Sequence, residues 1–135
     1  MTNIFIDTSA FIALYLKDDE FHESATSFLE KTDKKNIFLT SNYILDEVYT
    51  FLRANKGKET AVSFAEFLAQ NSQIVILKRI NLEDEKKAFE LFRKLDLPRL
   101  SFTDCTSFAL MKRLGTKEAF SFDKHFAKAG FEMIP

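Results

Sequence analysis

The stretch NIFIDTSAFIAL, residues 3–14, decides how the rest of the chain is read. Ile4-Phe5-Ile6 is a short continuous apolar run of the kind carried by a strand buried on both faces. It stops at Asp7, and after Thr8 and Ser9 a second apolar segment runs from Ala10 to Leu16. An acid between two apolar segments has two physical readings. It caps the helix that follows, a role worth about 1 kcal/mol. Or it stands at the mouth of a sheet, where some chemistry needs a negative oxygen. Within this stretch both stay open.

Working outward, the alternation repeats. Strand-like runs fall at 4–6, 37–39, 74–77, 119–122 and 132–134. Between them the apolar spacing turns helical. The charged 19–35 segment carries Ala25, Phe28 and Leu29. Segment 41–54 carries Ile44, Leu45, Val48, Tyr49 and Leu52, and 58–71 carries Ala61, Val62, Phe64, Ala65 and Leu68. Segment 82–95 repeats the pattern, and 102–114 ends at Gly115 as a helix with a C-terminal glycine does. Strands alternating with helices predict an α/β fold whose central sheet is mostly parallel and covered on both faces.

With 135 residues the chain is expected to form a single domain, 1–135, burying roughly two-thirds of its unfolded surface. Its 16 Phe supply a bulky core without Trp, and 3 Gly with 2 Pro leave few special turns. The single Cys105 excludes an internal disulfide, and no Cys and His positions have zinc spacing. No basic-then-apolar leader and no apolar run near ~18 residues is present, so a soluble, cytoplasmic protein with no membrane partner is expected. A net charge of −1 argues against a wholly basic nucleic-acid binder but permits a local basic rim around an acidic site.

Four acids stand in telling places. Asp7 follows the first strand, and Asp123 follows the apolar run in EAFSFDKHF. Asp104 closes Ser101-Phe102-Thr103-Asp104, a capping-box pattern, yet its helical face continues through Phe108 and Met111 into the core. Glu47 lies inside a helix, where capping cannot explain it. Its helical neighbours are Tyr43, Phe51 and Ala54, so it is expected to point inward, while Asp46 shares a solvated side with Asn42, Thr50 and Arg53. In a parallel sheet the strand C-termini share one edge, and ligands bind outside it. Unit charges ~4 Å apart cost about 4 kcal/mol at an effective dielectric of 20, so such acids need a cation or shared protons. All-oxygen ligands favour Mg²⁺ or Mn²⁺, and the chemistry this supports is metal-assisted attack of water on a phosphodiester.

FIDTSAFIAL, the internal DEVYT, LSFTDCTSFALMKRLG and AFSFDKHFAKAGF resemble, in order and spacing, the PIN domain, especially the VapC-type toxin ribonucleases. The resemblance covers essentially the whole chain. It implies a three-layer α/β/α sandwich and a Mg²⁺- or Mn²⁺-dependent endoribonuclease, the toxin of a type II toxin–antitoxin pair. Catalytic and metal-holding roles then fall on Asp7, Glu47, Asp104 and Asp123, with Ser9 and Thr103 (or Thr106) in support. RNA, a cognate antitoxin and a second copy of the chain are the implied partners. In some relatives a further acid stands where this chain has His125; His125 is expected to be exposed, and His22 to lie on the surface. Arg53, Lys56, Arg99 and Lys124 are the basic candidates for holding the RNA. The stripe Phe64, Phe67 and Leu68 is read first as core, and by the resemblance as a region that helps bind antitoxin or a second protomer.

Two other classes compete with this reading. An aspartyl phosphatase carries an acid two residues after its first, and here that residue is Ser9. A PIN-like module that binds RNA or protein without cutting is marked by loss of an acid, and all four are present. Gly57, Gly115 and Gly130 are too far apart for a dinucleotide-binding loop.

Overall fold

In the computed structural model, which describes residues 2–135, the opening stretch divides as its apolar pattern divides. Asn3–Ile6 forms β1 and Thr8–Tyr15 forms α1, with Asp7 between them. Helix α2 (His22–Lys31) follows, then β2 (Ile37–Ser41), α3 (Asn42–Lys56) and α4 (Lys58–Gln70). The second half runs β3 (Val75–Lys78), α5 (Leu82–Lys94), α6 (Phe102–Leu114), β4 (Glu118–Phe120), α7 (His125–Lys128) and β5 (Glu132–Ile134). The five strands form one sheet in the order β3-β2-β1-β4-β5, and every pairing is parallel. This is the α/β class expected from the alternating pattern.

β1 is central because its side chains suit burial on both faces. Ile4, Phe5 and Ile6 are each no more than 2% exposed. Phe5 pairs in register with Leu39 of β2 on one side and Ala119 of β4 on the other. The chain builds outward from β1 to β2 and β3, then returns to place β4 on the opposite flank. The strand order therefore reverses between β1 and β4, the place where open parallel sheets leave a crevice at their C-terminal edge.

Two differences from the sequence expectation lie beside the C-terminal edge of the sheet. β4 ends at Phe120 rather than 122. The Ser121 amide still donates to Ile134, but the Phe122 amide donates to the Ser9 hydroxyl, which draws the backbone out of the ladder. The single turn of α7 is too short to show a helical period, and the sequence pattern does not reveal it.

Phenylalanines tie the layers together. Phe108 of α6 meets Phe126 of α7 edge to face at 5.1 Å, and Phe126 lies 6.1 Å from Phe5 of β1. The stripe on α4 divides: Phe64 is fully buried against Phe11, Tyr15 and Tyr49, while Phe67 is exposed and Leu68 half-buried. Helices α5 and α6 are joined by Asp84, which is buried and receives both Nε and Nη2 of Arg113 at 2.8 Å.

Candidate active site

The reversal point between β1 and β4 is where the acids meet. Asp7 leaves the end of β1 and caps α1, with Oδ1 accepting from the Ala10 amide at 3.2 Å. The same oxygen takes the Ser9 hydroxyl at 2.8 Å, and Oδ2 takes the Ser121 hydroxyl at 2.9 Å. Both serines reach across the reversal point. Ser9 Oγ accepts from the Phe122 amide, and Ser121 Oγ accepts from the Asp123 amide, each at 2.9 Å. Asp7 is 4% exposed. That burial pushes its carboxyl up to about 7, helped by the nearby charge of Asp123 and opposed by the bonds from Ser9, Ser121 and Ala10.

Asp104 closes a reciprocal cap at the start of α6. Its amide donates to Ser101 Oγ at 2.9 Å, and its Oδ2 accepts from the Ser101 amide at 3.1 Å. Burial raises its carboxyl to about 6; Asp123 adds to the rise, while Ser101 and His125 oppose it. Capping and facing the cleft are thus one placement, since a capping carboxylate stands where the helix meets the sheet's edge.

His125 is not exposed as expected. Its side chain is 16% exposed, because the turn of α7 folds it back over the start of α6. Asp123 Oδ1 accepts from the His125 amide at 2.9 Å and holds that turn. Nδ1 lies 2.9 Å from Asp123 Oδ1 and 3.4 Å from Asp104 Oδ2, yet this buried atom has no aligned hydrogen bond. Nε2 lies 2.7 Å from the carbonyl oxygen of Pro98. A carbonyl only accepts, so Nε2 carries a hydrogen, and in the neutral ring Nδ1 is the nitrogen with a lone pair for a ligand. One ligand atom each from Asp104, Asp123 and His125 lies within 4.8 Å of the others.

Glu47 also departs from expectation: it is exposed, not turned inward. The buried stripe of α3 is Ile44, Val48 and Leu52, and Glu47 stands beside it at the cleft, accepting from the Thr8 hydroxyl. The four acids line one cleft of about 340 Å³, together with Asp19, Glu20, Phe21 and Phe51. A second cavity of about 270 Å³, beside the starts of β2 and β3, is lined mainly by apolar side chains and by none of the four acids.

The PIN domain profile matches residues 4–132. The chain belongs to the PIN domain family. It is 34% identical over 128 residues to the 23S rRNA-specific endonuclease VapC20 of Mycobacterium tuberculosis in two strains, spanning 95% of each chain. The crystal structure of that organism's VapC20, described as a sarcin–ricin loop cleaving toxin, superposes with a TM-score of 0.87 at 33% identity, covering 98% of this chain and 99% of the other. VapBC2 from Rickettsia felis gives a TM-score of 0.74 at 14% identity, covering 98% of this chain and 97% of that one. FitAcB from Neisseria gonorrhoeae gives 0.73 at 12%, covering 98% and 96%. These last two likenesses are of fold.

The donor set of this PIN domain suits a divalent cation. Among the described residues no Lys or Arg pairs with Asp7, Asp104 or Asp123. Asp84 shows the contrast: as buried as Asp7, it has Arg113, and its carboxyl is held below the usual range by that guanidinium. Carboxylate oxygens suit Mg²⁺ and Mn²⁺, and the imidazole nitrogen of His125 adds a donor softer than oxygen.

The remaining predicted residues are placed as follows. Ser9 orients Asp7. The carbonyl of Thr103 accepts the hydroxyls of Thr106 and Ser107, and neither threonine hydroxyl bonds to Asp104. Arg53, Lys56, Arg99 and Lys124 are exposed and none lines the cleft. Lys56 is paired with Asp18 at 2.6 Å. His22 is half-buried rather than superficial, its Nδ1 lying 2.7 Å from the Ala13 carbonyl, because α2 packs its first turn on α1. Sequence reasoning missed Ser121 and Thr8. Ser121 had a signal: Asp7-Thr8-Ser9 and Ser121-Phe122-Asp123 are mirror spacings on adjacent strand ends.

Proposed function

We propose that this PIN domain, spanning 1–135, is a Mg²⁺- or Mn²⁺-dependent endoribonuclease acting as the toxin of a type II toxin–antitoxin pair, with a ribosomal RNA loop as its substrate. The observation that carries the reading is the 34% identity, over 95% of the chain, to an endonuclease specific for 23S rRNA. The convergence of four acids on one cleft supports it. All four are present, which favours a cutting enzyme over a module that only binds.

Asp104 and Asp123, with Nδ1 of His125, would hold the ion, a reading supported by their ligand atoms lying within 4.8 Å of one another. Once bound, the ion supplies charge neutralisation at the scissile phosphate and a more acidic water. Asp7, fixed from both oxygens by Ser9 and Ser121, keeps a carboxylate aimed at the same space without freedom to swing. Glu47, held by Thr8, faces that space from α3 and is placed to orient the attacking water. No side chain here needs to form a covalent bond to the RNA. A cognate antitoxin, or a second copy of the chain in a cytoplasmic homodimer, would meet exposed apolar side chains of α4, Val62 and Phe67, which stand on different sides of the helix.

The test is cleavage of a labelled sarcin–ricin hairpin with Mg²⁺, Mn²⁺ or EDTA, by wild type and by Asp104→Asn. Cutting that requires metal and disappears in the variant is expected. A folded, metal-supplied wild type that binds the hairpin and leaves it intact would favour the binding module.

A further inference from the structure

We propose that Phe21 is a stacking platform for an unpaired nucleobase of the RNA substrate, a positioning contact on the wall of the acidic cleft. The inference rests on the nuclease reading above and deepens it. Phe21 and Phe51 line the cleft that holds the four acids, and they are 39% and 40% exposed. The ring of Phe21 lies parallel to that of Phe122, with centroids 4.6 Å apart and planes 7° from coplanar. Phe122 in turn meets the buried ring of Phe120. That column fixes the plane of Phe21 and covers one of its faces, while the exposed part of the ring borders the cleft. The loop before α2 is held as well, since Asp19 Oδ2 accepts from the Phe21 amide at 3.0 Å.

The charge of the cleft says what such a ring is for. Six carboxylates line it, those of Asp7, Asp19, Glu20, Glu47, Asp104 and Asp123, and no Lys or Arg does. Walls of that kind offer nothing to a phosphate backbone beyond what a bound cation supplies. Further hold on the strand near the scissile bond comes best from its uncharged parts, and the base is the one with an aromatic face to offer. Bases splayed from a loop stack on aromatic side chains, and the contact tolerates any base because each has a π-face. A ring of fixed plane, one face buttressed, gives up little freedom when a base settles on it.

The experiment uses the sarcin–ricin hairpin carrying 2-aminopurine at one loop position at a time. It is titrated with wild type, Phe21→Ala, Phe21→Leu and Phe21→Tyr in Mg²⁺, with cleavage scored on the same samples. Stacking predicts quenching at one loop position by wild type and Phe21→Tyr and none by the other two. It also predicts a KM about tenfold higher for Phe21→Ala and Phe21→Leu, with kcat within about twofold. If Phe21→Leu keeps both the quench and the KM, the ring only fills space and the proposal falls. An unchanged KM in Phe21→Ala also overturns it and leaves the exposed ring to a protein partner. Quenching through Phe21 without cutting by wild type would sink the nuclease reading and leave the stacking intact. Asp104-dependent cutting that ignores every Phe21 variant would do the reverse. A wild type that binds no hairpin overturns both.

Discussion

Two buried aspartates show what a single side chain can reveal. Asp84 is buried but has the Arg113 guanidinium on both oxygens, and its carboxyl is held low. Asp7 is buried with only neutral donors, and its carboxyl rises from 3.8 to about 7, a difference of about 4 kcal/mol between its protonation states. A carboxyl raised on folding binds more protons in the folded state than in the unfolded state across that interval. Stability of the metal-free protein should therefore fall as pH rises from about 4 to about 7, with Asp104 adding to the fall up to about 6. Asp84, shifted down, acts only below that window. Asn caps helices as well as Asp does, so Asp7→Asn should keep the fold, abolish cleavage and flatten the pH dependence of metal-free melting between pH 4 and 7. Thermal melts in EDTA across that range check this. A variant that melts several degrees below wild type at pH 8 would show that the charge itself supports the fold.

At the scale of elements, Asp7, Asp104 and Asp123 are each held at the end of a helix or strand, while Glu47 projects from the interior of α3. Such ends leave unpaired backbone groups, and a carboxylate that satisfies one is oriented at no further cost in side-chain freedom. In α6 the capping box of Ser101 and Asp104 both starts the helix and aims the acid. Ser101→Ala should cost about 1 kcal/mol in urea melts and also lower kcat, because the amide of residue 104 loses its acceptor. Ser101→Thr, which keeps the hydroxyl, should restore both. A loss of stability with kcat unchanged would confine Ser101 to the fold. The same end geometry accounts for β4, which stops at Phe120 because, after the Ser121 amide, the Phe122 amide turns to the Ser9 hydroxyl and leaves the ladder.

For the whole molecule, the sheet order β3-β2-β1-β4-β5 sets like charges side by side. A bound divalent cation relieves that repulsion and so should stabilise the fold by mass action. At about 100 times its dissociation constant it contributes about 2.7 kcal/mol. For a domain of this size that is a rise in Tm of about 10 °C. Melting with Mn²⁺ or Mg²⁺ against EDTA at pH 7.5 should show the rise. At pH 5 it should shrink, because protons then occupy Asp7 and Asp104, whose carboxyls sit near 7 and near 6. A rise of equal size at both pH values would place the ion elsewhere.

The periodicity of the apolar residues determined the class of fold, and the acids following Ile6 and Phe122 and heading the last long helix were visible as a set because strand ends share one edge. Ser9 was legible through its spacing from Asp7 within the family pattern. Local spacing, however, does not say how far round a helix the core extends. Glu47 was therefore read as buried, when the stripe of Ile44, Val48 and Leu52 leaves it open to the cleft. Nor does it show contacts between distant segments. Ser121 on Asp7 follows from the reversal between β1 and β4, Thr8 on Glu47 from α1 packing on α3, and the return of His125 between Asp104 and Asp123 from the one-turn α7. The sequence by itself determined the strands and the long helices and set Asp7, Asp104 and Asp123 at their ends, because those choices rest on neighbours a few residues away. Only the tertiary structure decided which side chains meet at the cleft, because that is set by packing between segments distant in the chain, as with Asp7 and Ser121, more than a hundred residues apart.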